Sequence, residues 1–380
     1  MEYMTPEERI RAAIELGTPD RVPVAPIIDM FSGRYGGITQ HEMLFDMEKA
    51  DRALLKTLDD LGWIDGMHLT YAGIGKVLQL IFPIPPILPG INGVPPDVEF
   101  QFIEKPIMEP EEYRLIVERG AGRWILEKLR INHPELSSLS GIAKIFKGLG
   151  SDMLKVKKSI RGWRKKGVEF MVGPNINVIP LEAISMAFRS FDHLVLDLFR
   201  YPEEVKAGSR ALLPFFKKLG VMEALASGIK RMFIGGARTS ASCLSPKQFE
   251  EFALPEWQEM CEYFVAKGIT PLLHLDSDWT PFFPYLKSLP RGKCILNLDG
   301  TSDIFKAKEV LGDHMCIMGD VPAALLKLGE PDEVEEYCHR LITEVGAGGG
   351  FILSSGCTIP IDARPENVKA MLGSVRKYRP

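Results

Sequence analysis

The chain has 380 residues, of which 46% are hydrophobic and 25% charged, with a formal net charge of -4. This is the composition of an ordinary soluble globular protein with ample material for a core, and it requires neither nucleic acid nor a membrane surface as a partner. The six cysteines (Cys243, Cys261, Cys294, Cys316, Cys338, Cys357) are far apart and form no C-x-x-C pair, which argues against a disulfide framework and for reduced thiols in a cytoplasm.

At the start of the chain, Thr5-Pro6-Glu7-Glu8 has the pattern of a capping box opening an amphipathic helix through Leu16, and no signal peptide is read there. Short apolar runs follow at 22–28, 66–69, 168–172, 231–234, 270–274, 293–298, 315–318 and 350–354. Between them lie helical patterns such as 47–62, 202–219, 245–267 and 331–345, several opened by Ser, Asp or Pro and closed by Gly. Eight such alternations predict an α/β fold, a single eight-stranded β/α (TIM) barrel over 1–380, although a doubly wound open sheet has the same local pattern. The most apolar stretch, 78–94, is interrupted by Pro83, Pro85, Pro86 and Pro89 and is not a membrane span.

The connection from 70 to 167 is too long for a plain crossover and is expected to be a lid or side structure. Its last part is basic, with Lys144, Lys147, Lys155, Lys157, Lys158, Arg161, Arg164, Lys165 and Lys166. A solvated helix face and a docking patch for an acidic partner both account for such a run.

In a barrel of this kind catalytic groups stand at the carboxyl ends of the strands. The fifth strand continues as His274-Leu275-Asp276, and strand alternation puts His274 and Asp276 on one face. The sixth strand ends at Asp299-Gly300, and the eighth ends with Gly356-Cys357. His, Cys and carboxylate are zinc ligand types, and a catalytic zinc uses three protein ligands with a fourth position open. His274, Cys357 and one or both of Asp276 and Asp299 make such a set. The alternative is a His274 that only hydrogen-bonds a neighbour and a Cys357 that fills space.

Three stretches resemble the uroporphyrinogen decarboxylase superfamily. They are Pro19-Asp20-Arg21-Val22-Pro23-Val24, the run Leu244-Ser245-Pro246-Lys247-Gln248-Phe249-Glu250-Glu251-Phe252-Ala253-Leu254-Pro255, and Gly349-Gly350-Phe351-Ile352-Leu353-Ser354-Ser355-Gly356-Cys357 with the following Pro365-Glu366-Asn367-Val368. The resemblance spans nearly the whole chain apart from 81–166, and it implies a β/α barrel. The superfamily divides into haem-pathway decarboxylases and zinc-dependent methyltransferases that exchange methyl groups with a corrinoid protein. The decarboxylases carry Arg-Gln-Ala-Gly-Arg-Tyr after the first strand, where this chain has Met30-Phe31-Ser32-Gly33-Arg34-Tyr35 and keeps only Arg34. They also carry Gly-His where Gly356-Cys357 stands. The methyltransferases use His-x-Cys on the fifth strand and a later cysteine, matched here by His274 and Cys357, with Asp276 in the middle position.

The resemblance therefore implies zinc held by His274, Asp276 or Asp299, and Cys357. It also implies a corrinoid (cobalamin) carried by a partner protein and a small methylated substrate, methoxylated compounds included. Exchanging a thiolate ligand for Asp276 leaves a harder metal that favours polarising oxygen over activating sulfur. Arg34, Asn175, Asn177, Arg238 and Trp279 are candidates for binding substrate or the corrinoid's edge, with Asp29, His68, Tyr71 and Asp320 as further residues of the rim; each is equally explained by a loop hydrogen bond or ordinary packing. The competing functions are a decarboxylase of a porphyrinogen or smaller carboxylate, and a non-catalytic corrinoid or tetrapyrrole binder.

Overall fold

Parallel strands of the chain alternate with helices and form two ladders. The computed structural model describes residues 2–174 and 177–379. Strands β1 (Gly66–His68) and β2 (Glu169–Val172) form one parallel ladder. A second ladder holds, in order, β3 (Asn177–Val178), β4 (Arg231–Gly236), β5 (Thr270–Leu275), β6 (Ile295–Leu298), β7 (Cys316–Val321) and β8 (Phe351–Ser355).

The two ladders are joined by the segment 22–28. Val24 pairs with Leu353 of β8, and its carbonyl accepts from the backbone N–H groups of Asp65 and Gly66 beside β1. This segment, expected as a full strand, makes only isolated bridges at Val24 and Ile27. Pro23 and Pro26 are the reason, since neither has an N–H to give to a ladder. On the other side, Arg231 of β4 donates from Nη1 to the Phe170 carbonyl of β2 at 2.8 Å. The architecture is the expected β/α barrel.

Ala25, Met171, Phe233, Leu272, Ile295, Met318 and Ile352 fill the interior together with Ile10, Ala13 and Ile14 of the helix Pro6–Ile14, which covers the end where the strands begin. That helix opens on the expected capping box between Thr5 and Glu8. Beside it a buried ion cluster ties the floor together: Arg9 Nη1 and Arg21 Nη1 each lie 2.6 Å from a different oxygen of Asp65, and Arg9 Nε lies 2.6 Å from Asp20.

The connection between β1 and β2 contains the helices Gly75–Ile81, Glu112–Arg119, Ala121–Leu129 and Leu139–Lys165. Its proline-rich part is held by an antiparallel bridge between Ile87 and Gln101 and by a small cluster of Leu44, Ile74, Leu78 and Leu88. Among the described residues no helix is long and apolar enough to cross a membrane.

Candidate metal centre

His274 lies on β5 directly opposite Asn297 of β6. Its Nδ1 is 2.6 Å from Asn297 Oδ1, while Asn297 Nδ2 donates to the Met318 carbonyl at 3.3 Å. The second bond fixes the amide with its oxygen toward the ring, so Nδ1 must donate and a neutral imidazole presents its lone pair at Nε2.

That Nε2 faces two more donors, Cys357 Sγ at 3.5 Å and Asp276 Oδ1 at 3.3 Å. The three ligand atoms all lie within 4.8 Å of one another. Ligands on a tetrahedral zinc at bond lengths of about 2.0–2.3 Å stand roughly 3.3–3.8 Å apart. The donor types suit zinc and the two distances from His274 Nε2 fall at this spacing, and the Asn297 bond supplies the outer-shell partner that a ligating histidine ordinarily has. Burial works against a charged His274, but Asp276 and Cys357 outweigh it and raise the ring's proton affinity well above the ordinary value.

Cys357 reaches this point because of what surrounds it. A Cβ on Gly356 would stand 2.3 Å from the Asp299 carbonyl oxygen, so only glycine lets the end of β8 pass this close to β6. The Gly356 N–H donates to the Val321 carbonyl at 2.9 Å, and Thr358 bridges to Ile27. Asp276 is fixed through its backbone, its N–H donating to Gly236 and its carbonyl accepting from Trp279 Nε1, each at 2.9 Å.

The three residues border a cavity of about 130 Å³ at the barrel mouth, walled mainly by apolar and aromatic groups including Ile27, Tyr71, Phe82, Phe102, Met186 and Phe233. Among the described residues no lysine or arginine lines it. Phe82 and Phe102 come from the long connection, so part of it lines the cavity. Arg238 ties this connection to the loop after β4, its Nη1 and Nη2 lying 2.8 and 2.7 Å from the two oxygens of Glu104.

The remaining predicted residues do not join the cluster. Asp299 accepts from Ser277 N–H at 2.9 Å and from Thr301 N–H at 2.8 Å, so its oxygens shape the loop after β5 rather than facing His274. Trp279 is fully buried against Phe249, Trp257 and Phe282 and offers no open face for stacking. Asn177 is also buried, and donates from Nδ2 to the Phe216 carbonyl at 3.1 Å, away from the mouth. Arg34 is exposed on the helix Asp29–Tyr35 and does not line the cavity, and Arg238 is occupied by Glu104. Asn175 lies outside the described residues.

Of the other rim residues, Tyr71 lines the cavity. Its backbone N–H donates at 2.8 Å to the buried carboxylate of Asp29, whose pKa burial pushes up to about 6. His68 is buried, with the Ala25 backbone beside its ring. Burial, reinforced by nearby His274, lowers its pKa to about 3. Asp320 is buried and accepts from Tyr337 Oη at 2.7 Å.

Two residues escaped the sequence reading. One is Asn297, whose signal was its place across the ladder from His274. The other is Glu182, a buried cavity-lining carboxylate that accepts from the N–H groups of Ala237 and Arg238 at 2.9 and 2.7 Å and from Thr239 Oγ1 at 3.0 Å, holding the loop after β4. It sits on a short helix with no strand pattern to mark it.

Comparison with known proteins places this site in context. The family model described as Uroporphyrinogen decarboxylase (URO-D) matches residues 178–378, just over half the chain. Curated relatives named uroporphyrinogen decarboxylase include one from Pseudoalteromonas atlantica, 25% identical over 141 residues (37% of this chain, 39% of the relative). Another, from Chlorobium phaeobacteroides, is 28% identical over 141 residues (36% and 39%). The matched region thus spans about two fifths of the length of these relatives. Among solved structures, a methyltransferase from Methanosarcina mazei superposes with a TM-score of 0.70 at 17% identity, covering 99% of both chains. At that identity the likeness is one of fold.

Proposed function

The chain belongs to the uroporphyrinogen decarboxylase (URO-D) family, and on that premise we propose that it is a zinc-dependent methyltransferase moving a methyl group between a small methylated substrate and a corrinoid carried by a partner protein. The observation that carries this reading is the convergence of Cys357 Sγ and Asp276 Oδ1 on His274 Nε2. A zinc ion bound there supplies Lewis acidity to a heteroatom of the substrate. His274, Asp276 and Cys357 would hold such an ion, and Asn297 fixes the tautomer that leaves the imidazole lone pair at Nε2.

The cavity sets the substrate's character. About 130 Å³ of mainly apolar space admits a small molecule, and its low polarity strengthens polar contacts inside. With one thiolate and one carboxylate rather than two thiolates, the donor set favours an oxygen-bound methyl group. The names of the curated relatives favour a second reading, decarboxylation of a porphyrinogen. The lining argues against it: a substrate with eight carboxylates would meet no cation in this cavity, since Arg34 is exposed elsewhere and Arg238 is paired with Glu104.

The test is an anaerobic assay of zinc-loaded protein with cob(I)alamin and a panel of O-, N- and S-methyl donors. Methylcobalamin should form with an oxygen donor and should be lost in His274→Ala and Cys357→Ala. No methylated cobalt with any donor removes the reading, and porphyrinogen decarboxylation by metal-free protein replaces it.

A further inference from the structure

The reaction proposed above leaves unused the most strongly charged element of the chain. The helix Leu139–Lys165 has 27 residues, about 40 Å at 1.5 Å per residue. Its buried residues, Val156, Ser159, Ile160 and Trp163, all lie in the second half, where Ser159 and Trp163 donate to Asp51 at 2.6 and 2.8 Å. Because the helix ends just before β2 begins, it runs against the strand direction. Its first half therefore stands on the side of the barrel mouth. No residue from 139 to 155 is buried, and Leu139, Phe146 and Leu154 are 86%, 70% and 70% exposed.

Between this half and the segment 76–92 runs a groove of about 1060 Å³. Lys144, Ile145, Leu149 and Lys155 form one wall, and Lys76 and Leu80 belong to the other. His133, only 6% exposed, also lines it, and its Nε2 has no hydrogen-bond partner among the described residues. Lys76 and Leu80 sit on the helix Gly75–Ile81, and Phe82, the next residue, lines the mouth cavity. Groove and cavity are thus lined by neighbouring residues of one segment.

We propose that this groove and the exposed first half of the helix are the docking surface for an acidic protein, the corrinoid-carrying partner. The inference rests on the reaction proposed above. Charge names the occupant: the first half, residues 139–155, carries Lys144, Lys147 and Lys155 against Asp152, the groove adds Lys76 and Glu135, and six more lysines and arginines follow from 157 to 166, in a chain whose net charge is -4. Asp152 is already paired with Lys76 at 2.8 Å. Lysines around an apolar stripe match a partner that brings carboxylates to a rim and apolar groups to a centre. The two-walled groove suits a projecting segment of a folded protein, whereas a flat lipid surface would reach only its crest.

The experiment compares the wild type with the triple variant Lys144→Glu, Lys147→Glu, Lys155→Glu. All three lysines are exposed and have no ion-pair partner among the described residues, so folding and zinc content should be retained. Methyl transfer is followed with two acceptors, free cob(I)alamin and the source organism's corrinoid protein, purified and reconstituted with hydroxocobalamin. KM for the corrinoid protein should rise about tenfold or more in the variant, with transfer to free cob(I)alamin unchanged. Added KCl should raise the wild-type KM for the protein acceptor only. Phe146→Ser should give the same split without altering charge. A variant indistinguishable from wild type with both acceptors overturns the docking surface and leaves the reaction standing, whereas a wild type that methylates neither acceptor takes both down. Binding of phosphatidylglycerol vesicles, or a dimer in sedimentation, that the variant loses while KM stays fixed also overturns it, assigning the surface to lipid or to a second copy.

Discussion

The ring of His274 and the amide of Asn297 face each other across β5 and β6, with Nδ1 2.6 Å from Oδ1. Replacing the amide by an isosteric hydrocarbon, Asn297→Leu, removes the acceptor that fixes the tautomer without touching a ligand. Zinc affinity should fall about 10- to 100-fold. Competition against a chromophoric chelator measures this, and an unchanged affinity would show that Asn297 is mere packing.

Asp276→Cys should restore a two-thiolate donor set. Zinc should bind about tenfold more tightly, and the preference among methyl donors should move from oxygen toward sulfur. A variant that binds zinc more weakly than wild type would show that Asp276 is not a ligand.

The raised proton affinity of His274 has a sign that can be checked. With Asp276 and Cys357 beside it, the metal-free ring holds a proton near neutrality, and a metal must displace that proton. Zinc affinity should therefore weaken as pH falls. Calorimetric titrations in buffers of different ionisation enthalpy should show roughly one or more protons released per zinc near pH 7. Loading without proton release would contradict the site.

His68 titrates at about 3 in the fold and at about 6.5 when unfolded. Its neutral burial stabilises the protein fully above the unfolded value, and this contribution disappears as pH falls from about 6.5 toward 3. The size is on the order of 5 kcal/mol. Urea denaturation of metal-free wild type and His68→Gln across this window should give a steeper acid decline for the wild type. Parallel curves would mean that His68 is solvated in solution.

Gly356→Ala drives a methyl group against the Asp299 carbonyl. The strand end must shift, costing about 1–3 kcal/mol and carrying Cys357 away from His274. Thermal melting and zinc content should fall together; a stable variant with full zinc would show that the loop yields.

Strand alternation alone placed His274 and Asp276 on one face, and a strand end placed Cys357 at the rim, so the three donors were legible as letters with a period. What the period lacks is a third dimension. Asn297 is one step across a ladder from His274, and no spacing within its own strand distinguishes it from a core polar residue. Trp279 stayed open between stacking and packing, because an aromatic in a loop reads the same whether it faces solvent or, as here, Phe249 and Trp257. Asp299 follows its strand much as Asp276 follows β5, yet its oxygens are claimed by the turn. Proline chemistry explains why 22–28 meets the β8 side through two bridges instead of a ladder.

The buried cluster of Arg9, Arg21 and Asp65 lies at the end of the cylinder away from the mouth. Removing any one member would strand the others' charge in a dry interior, so the three residues constrain one another far more than they constrain anything at the opposite end. Specialisation at the rim, by trading one candidate ligand or remodelling the long connection, is thereby uncoupled from the foundation. A single scaffold can change its chemistry without relearning how to fold.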